Sequence, residues 1–131
     1  MTTLVVVDDE SLVTDFLTFL LEGEGFTVHV AANGKEALDV IGRVRPVLVI
    51  TDLMMPVMSG LELAKALRAQ QAFVRLPVIL CSAATHAVAQ DDRLLFSAIL
   101  QKPQAPAALL AVVAQYARAA KSDRETDAEE P

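Results

Sequence analysis

The chain has 131 residues, of which 53% are hydrophobic and 21% charged, with a net charge of -6 and one cysteine, Cys81. That length suits one domain with a real core, and the apolar content excludes a disordered chain. The acidic balance argues against direct nucleic-acid binding, which needs a basic surface, and a single cysteine excludes an internal disulfide.

Strand-like and helix-like segments alternate along the chain. Leu4–Val7 is a run of β-formers without polar alternation, as expected of a strand buried on both faces. Ser11 to about Glu22 follows as a helix, with Leu12, Phe16, Phe19 and Leu20 at helical spacing, and Gly23-Glu24-Gly25 breaks it. Phe26–Ala31 reads as a second strand. A helix then starts at Asn33-Gly34 and runs through Val40 and Ile41, and Pro46 marks the turn to a third strand, Val47–Ile50. Gly60 to about Gln71 is amphipathic, and Pro77 introduces a fourth strand, Val78–Cys81. Thr85 to about Phe96 is predicted as an irregular helix, Ala98–Gln101 as the fifth strand and Pro106 to about Lys121 as the last helix. Residues 122–131 are polar and acidic and predict a disordered tail after a single domain over 1–121. Five strands alternating with five helices imply an α/β fold, a parallel sheet with helices on both faces. No apolar stretch is long enough to span a membrane, and no signal peptide is visible, so a cytoplasmic protein is expected.

Four of the apolar runs end in polar residues. Leu4–Val7 leads into Asp8-Asp9, Val47–Ile50 through Thr51 into Asp52, Val78–Cys81 into Ser82, and Ala98–Leu100 through Gln101 into Lys102. Taken singly, each has a plainer reading: the acids and Ser82 as helix caps or loop residues, Lys102 as a solvated lysine. Taken together, they fall at the carboxyl ends of parallel strands, where open sheets bind ligands. Clustered carboxylates repel unless a cation joins them, and all-oxygen donors suit a hard ion such as Mg²⁺. An aspartate beside that ion can act as a nucleophile towards a phosphoryl donor, with Lys102 and Ser82 placed for its oxygens. A Gly-rich or Ser/Thr-rich first loop, which a dinucleotide or flavin phosphate would want, is absent: Asp8-Asp9-Glu10 has the opposite charge.

These residues, with Val5-Val6-Val7-Asp8-Asp9-Glu10, Ala32-Asn33-Gly34-Lys35-Glu36-Ala37-Leu38, Asp52-Leu53-Met54-Met55-Pro56-Val57-Met58-Ser59-Gly60-Leu61-Glu62-Leu63, Ser82-Ala83 and Lys102-Pro103, resemble the receiver domains of two-component response regulators. The resemblance covers nearly all of Thr3 to about Ala120. It implies a flavodoxin-like, doubly wound sheet of five parallel strands in the order 2-1-3-4-5. It also implies a signalling module rather than an enzyme. Asp52 would be the phosphoacceptor, and Mg²⁺ would be held by Asp9, Asp52 and the backbone carbonyl of Met54, with Asp8 acting through water. Ser82 would be the switch hydroxyl and Lys102 the phosphate-binding lysine. The implied partners are a sensor histidine kinase or phosphotransfer protein and an unidentified downstream protein.

The chain departs from this family in two ways. The aromatic residue usual three positions before the lysine is Ile99, and the segment from Ser82 to Lys102 is shorter than is common. The apolar run Leu94-Leu95-Phe96 before it, with the apolar last helix, predicts contacts through the fourth helix, fifth strand and last helix, either with a partner or as a homodimer. Met54 and Ala84 stand where polar side chains can position hydrolytic water, which predicts a long-lived acyl phosphate. Ile99 and the altered fourth helix also keep open a second reading, a phosphorylation-independent adaptor or dimerisation module.

Overall fold

The computed structural model describes residues 2–103 and 105–129. Its elements, in chain order, are β1 (Thr3–Val7), α1 (Ser11–Glu22), β2 (Thr27–Ala31), α2 (Gly34–Val44), β3 (Leu48–Thr51) and α3 (Gly60–Arg68). They continue with a 3-10 turn at Gln71–Phe73, β4 (Val78–Ser82), 3-10 segments at Thr85–Ala87 and Gln90–Leu95, β5 (Ala98–Gln101) and α4 (Pro106–Glu129). The strands form one sheet in the order β2-β1-β3-β4-β5, with every pairing parallel.

The three central strands are buried on both faces, so alternate residues serve different layers. Val5, Val7, Val49, Val78 and Leu80 pack against the α2–α3 side, with Ile41, Leu63 and Leu67. Leu4, Val6, Leu48, Ile50, Ile79 and Cys81 pack against the α1–α4 side, where Leu109, Val113 and Ala117 of α4 recur at i, i+4 and i+8. Each such aliphatic side chain, fully buried, contributes about 1.5–3 kcal/mol. The starts of α2 and α3 are capped by side chains. Asn33 Oδ1 accepts from the Glu36 amide, and Ser59 and Glu62 form a reciprocal capping box.

Three expectations change. The helix predicted over Thr85–Phe96 is two short 3-10 segments, so there are four α-helices among the described residues rather than five. Side chains supply the bonds that a continuous helix would make for itself. Arg93 Nη2 donates to the Thr85 carbonyl at 2.9 Å, and Arg68 reaches across from α3 to the Leu95 carbonyl. The last helix does not stop near Lys121: its backbone runs to Glu129, since no glycine or proline interrupts it before Pro131. The part of the predicted tail at residues 130 and 131 lies outside the described residues. In α1 the buried positions are Thr14 and Leu21, with Leu17 and Leu20 partly covered. Leu12 and Phe19 are 82% and 79% exposed, and Phe16 is exposed beside them. Among the described residues no helix is long and apolar enough to cross a membrane.

Candidate functional site

All four polar strand endings lie along the carboxyl edge of β1, β3, β4 and β5. Asp8 follows β1 directly. Its amide donates to the Ala31 carbonyl at 3.1 Å, and its own Oδ1 accepts from the Glu10 amide at 3.0 Å. Asp52 follows β3, anchored by its amide to the Val7 carbonyl at 2.9 Å. The backbone beyond it is gripped by Gly60, whose amide donates to the Leu53 carbonyl at 2.9 Å. A Cβ at residue 60 would run into the Asp52 carbonyl oxygen, so only glycine lets α3 begin this close to the site.

The carboxylates of Asp8, Asp9 and Asp52 converge, with one oxygen of each within 4.8 Å of the others. Asp8 is 4% exposed, Asp52 is half-buried and Asp9 is open to solvent. Lys102 Nζ enters from β5. It donates to Asp8 Oδ2 at 3.0 Å and stands 3.9 Å from Asp52 Oδ1. Its amide donates to the Ser82 carbonyl at 3.0 Å, and the Lys102–Pro103 bond is cis. Ser82 is buried at the end of β4 beside Asp52, and its Oγ accepts from the Ala84 amide at 3.1 Å.

Burial is the largest influence on Asp52 and raises its carboxyl above the ordinary value. The Leu53 amide, Lys102 and Ser82 pull against it, and the Asp8 charge adds to the rise. For Lys102 burial pulls downward, but the bond to Asp8 and the charges of Asp8 and Asp52 outweigh it and hold the ammonium above its usual range. The crevice therefore keeps one fixed cation beside three acids. The donor set consists of carboxylate oxygens with no soft ligand among them, which fits Mg²⁺.

The loop after Asp52 is strained. Val57 adopts φ 67°, and the Met58 amide reaches back to the Pro56 carbonyl at 2.7 Å, closing a tight turn about a β-branched residue. Gly34, at the start of α2, donates to the Met58 carbonyl at 3.0 Å and leaves no space there for a Cβ. Met54 is exposed in this loop.

The residues expected to form an interface separate. Leu94 is 88% exposed, Leu95 is half-buried, Phe96 is buried in the core and Ile99 packs half-buried against the α2–α3 layer. Phe96 is therefore a core residue and offers no contact surface. Several polar contacts are invisible in sequence spacing, one beside the site at Thr85 and others at the opposite, amino edge of the sheet. Thr85 Oγ1 donates to Gln101 Oε1 at 3.2 Å, Tyr116 Oη donates to the Ser97 carbonyl at 2.8 Å, and the Arg68 guanidinium serves the carbonyls of Phe73, Leu76 and Leu95. Apart from Phe73 and Leu76, which follow Arg68 closely, their partners come from segments far apart in the chain, so no local pattern marks them.

Residues 4–114 match the family model described as the response regulator receiver domain. An uncharacterised 14.6 kDa protein of Leptolyngbya boryana is 38% identical over 125 residues, covering 92% of this chain and 93% of that protein. The DNA-binding response regulator MtrA of Mycolicibacterium paratuberculosis is 38% identical over 85 residues, which cover 65% of this chain and only 36% of MtrA. Among solved structures, the response regulator TrrA of Thermotoga maritima, in complex with Mg(2+)-BeF, superposes with a TM-score of 0.81 at 30% identity, covering 88% of this chain and 99% of that one. The chemotaxis response regulator CheY4 of Vibrio cholerae gives 0.80 at 29% identity over 88% and 98% of the two chains.

Proposed function

The chain belongs to the response regulator receiver family, and from that premise we propose that it is a single-domain phosphorylation switch, a receiver unit over residues 1–121 acting in the cytoplasm. The observation that carries this reading is the crevice itself: one oxygen each of Asp8, Asp9 and Asp52 within 4.8 Å of the others, with Lys102 bonded to Asp8 and Ser82 beside Asp52.

An Asp52 carboxylate oxygen attacks the phosphorus of a phosphohistidine on a sensor kinase or phosphotransfer protein. The new O–P bond forms as the P–N bond breaks, and the imidazole nitrogen keeps the electron pair. Asp9, Asp52 and the Met54 carbonyl would hold Mg²⁺, with Asp8 acting through water. When bound, the ion offsets charge on the phosphoryl oxygens. That the similar protein TrrA was solved in complex with Mg(2+)-BeF supports Mg²⁺ as the ion, and the ligand set is our reading. Lys102 supplies a second positive charge, and the Ser82 hydroxyl donates to a phosphoryl oxygen. The modified protein then favours a surface with a different affinity for its downstream partner. Within the predicted output region, Leu94 and the outer side of α4 remain open for that partner or for a second copy.

The test is treatment with acetyl phosphate and Mg²⁺, read by intact mass. One phosphoryl group should add to the wild type and none to Asp52→Ala. An unmodified wild type would instead favour the adaptor reading, which Ile99 and the two 3-10 segments in place of a helix over Thr85–Phe96 support. Sedimentation over a concentration range, with and without phosphorylation, tests self-association: a strict monomer in both states removes the homodimer.

A further inference from the structure

Two exposed apolar areas, one on each helical layer, play no part in the proposed chemistry. The first is the ridge of α1. Leu12, Phe16 and Phe19 are exposed there, four and three residues apart, which sets them in one stripe along the helix. Its surroundings are acidic. Asp15, Glu22 and Glu24 are exposed, and no lysine, arginine or histidine precedes His29 in the chain. The second area lies on the α2–α3 side, towards the amino edge of the sheet. There the Arg68 guanidinium meets the carbonyls of Phe73, Leu76 and Leu95, none further than 3.2 Å, and so brings the backbone after α3 against the backbone before β5. The exposed Val74 and Leu94 stand on these two segments. Cations prevail around them: Lys65, Arg68, Arg75 and Arg93 outnumber Asp91 and Asp92.

We infer that the α1 ridge of one copy of this chain docks on the Val74 and Leu94 patch of a second copy, head to tail. Contiguous apolar side chains left in water mark contact surfaces. Charge selects the pairing. Ridge against ridge sets acids against acids, with no cation from either α1 to separate them. Patch against patch faces an excess of cations with the same excess. Ridge against patch brings Asp15, Glu22 and Glu24 towards Lys65, Arg75 and Arg93, the complementary arrangement. The two areas lie on opposite layers of the sheet, so each copy can use both at once. Such a contact joins unlike surfaces. It extends into a chain, or closes into a ring if the rotation allows. Neither area contains a residue of the Asp52 crevice, and the contact requires no phosphoryl group.

The experiment is sedimentation of the full chain without a phosphodonor, from about 10 µM to about 1 mM, a range that reaches contacts of millimolar dissociation constant. The mean mass of the wild type should rise with concentration. Leu94→Gln, and the double variant Leu12→Gln with Phe19→Gln, alter exposed positions only, and circular dichroism checks that each is folded. Each alone should stay monomeric. Mixed in equal amounts, they should form a one-to-one pair that does not extend, because the intact ridge of the first meets the intact patch of the second. Lys65→Glu leaves every apolar residue in place and should weaken the wild-type association several-fold, which tests the charge match even where a glutamine variant fails to fold. A wild type that stays monomeric over the whole range would overturn the inference. So would a Leu94→Gln chain that associates as the wild type does, the mark of ridge on ridge. Variants that remain apart when mixed, or a Lys65→Glu chain that associates unchanged, would overturn it as well.

Discussion

Arg68 donates twice to the Leu95 carbonyl, at 3.2 Å from Nε and 2.8 Å from Nη2, and so ties the end of α3 to the segment before β5. Its Nη1 also serves the carbonyls of Phe73 and Leu76, at 3.0 and 2.6 Å. Arg68→Met would leave three carbonyls without this donor. At about 1–3 kcal/mol for a buried group left unsatisfied, a loss of about 3 kcal/mol is expected in urea unfolding. Lysine lacks the planar fork and should recover little. A midpoint unchanged in Arg68→Met would show that the carbonyls find other donors.

Gly60 and Gly34 should differ as sites for alanine. A Cβ at residue 60 meets the Asp52 carbonyl, which is fixed backbone, whereas at residue 34 its nearest contact is the Met58 side chain at 2.7 Å, with the Met58 carbonyl at 2.9 Å. Gly60→Ala should cost about 4 kcal/mol or fail to fold, and should disturb phosphorylation through Asp52. Gly34→Ala should cost less, about 2 kcal/mol, because its overlap with the Met58 carbonyl is shallower, although backbone as well as side chain must give there. Equal melting temperatures for the two variants would contradict this ranking.

Val57 is a β-branched residue at positive φ. Left-handed backbone costs an ordinary residue about 1–2 kcal/mol, and glycine returns roughly half of that gain as extra unfolded-state entropy. Val57→Gly should therefore stabilise the chain by about 0.5 kcal/mol, seen as a higher urea midpoint with an unchanged slope. A lower midpoint would mean that the exposed side chain makes a compensating contact.

The raised carboxyl of Asp52 sets a pH dependence. With its folded value above the ordinary 3.8, its contribution to stability is fully present below that value and is lost as pH rises through the folded value. At pH 7 the ionised group opposes folding. Asp52→Asn should melt higher than wild type at pH 7, with the gap closing near pH 3. Mg²⁺ should narrow the gap at pH 7 by stabilising the wild type alone. A gap independent of pH would assign the effect to packing.

Met54 and Ala84 lack the polar atoms that would orient water at an acyl phosphate. Once formed on Asp52, that group should persist well beyond a minute at neutral pH, as followed by phosphate release. Met54 is exposed, so Met54→Asn should be tolerated and should shorten the lifetime several-fold. Decay of the wild type within seconds would refute the claim.

The sheet was legible in the sequence because strands buried on both faces must be apolar throughout and must end where polar groups meet solvent. Leu4–Val7, Leu48–Ile50 and Val78–Cys81 show both features, and they carry Asp8, Asp52 and Ser82 with them. Thr85–Phe96 misled because its apolar residues fit a helix face, while the bonds that keep it non-helical come from Arg68 and Arg93, one of them far away in the chain. Helix α1 misled in another way. Leu12 and Leu21 are nine residues apart, about two and a half turns, so they lie on opposite sides of the helix. Apolar residues on both sides leave periodicity unable to say which side is buried.

That second apolar side has a colloidal consequence. A body with a net charge of -6 and an uncovered ridge of Leu12, Phe16 and Phe19 repels its copies at long range and attracts them at contact. Salt weakens the first force and leaves the second. With the screening length falling from about 10 Å at 0.1 M to about 3 Å at 1 M, ionic strength would govern how long the free protein stays dispersed.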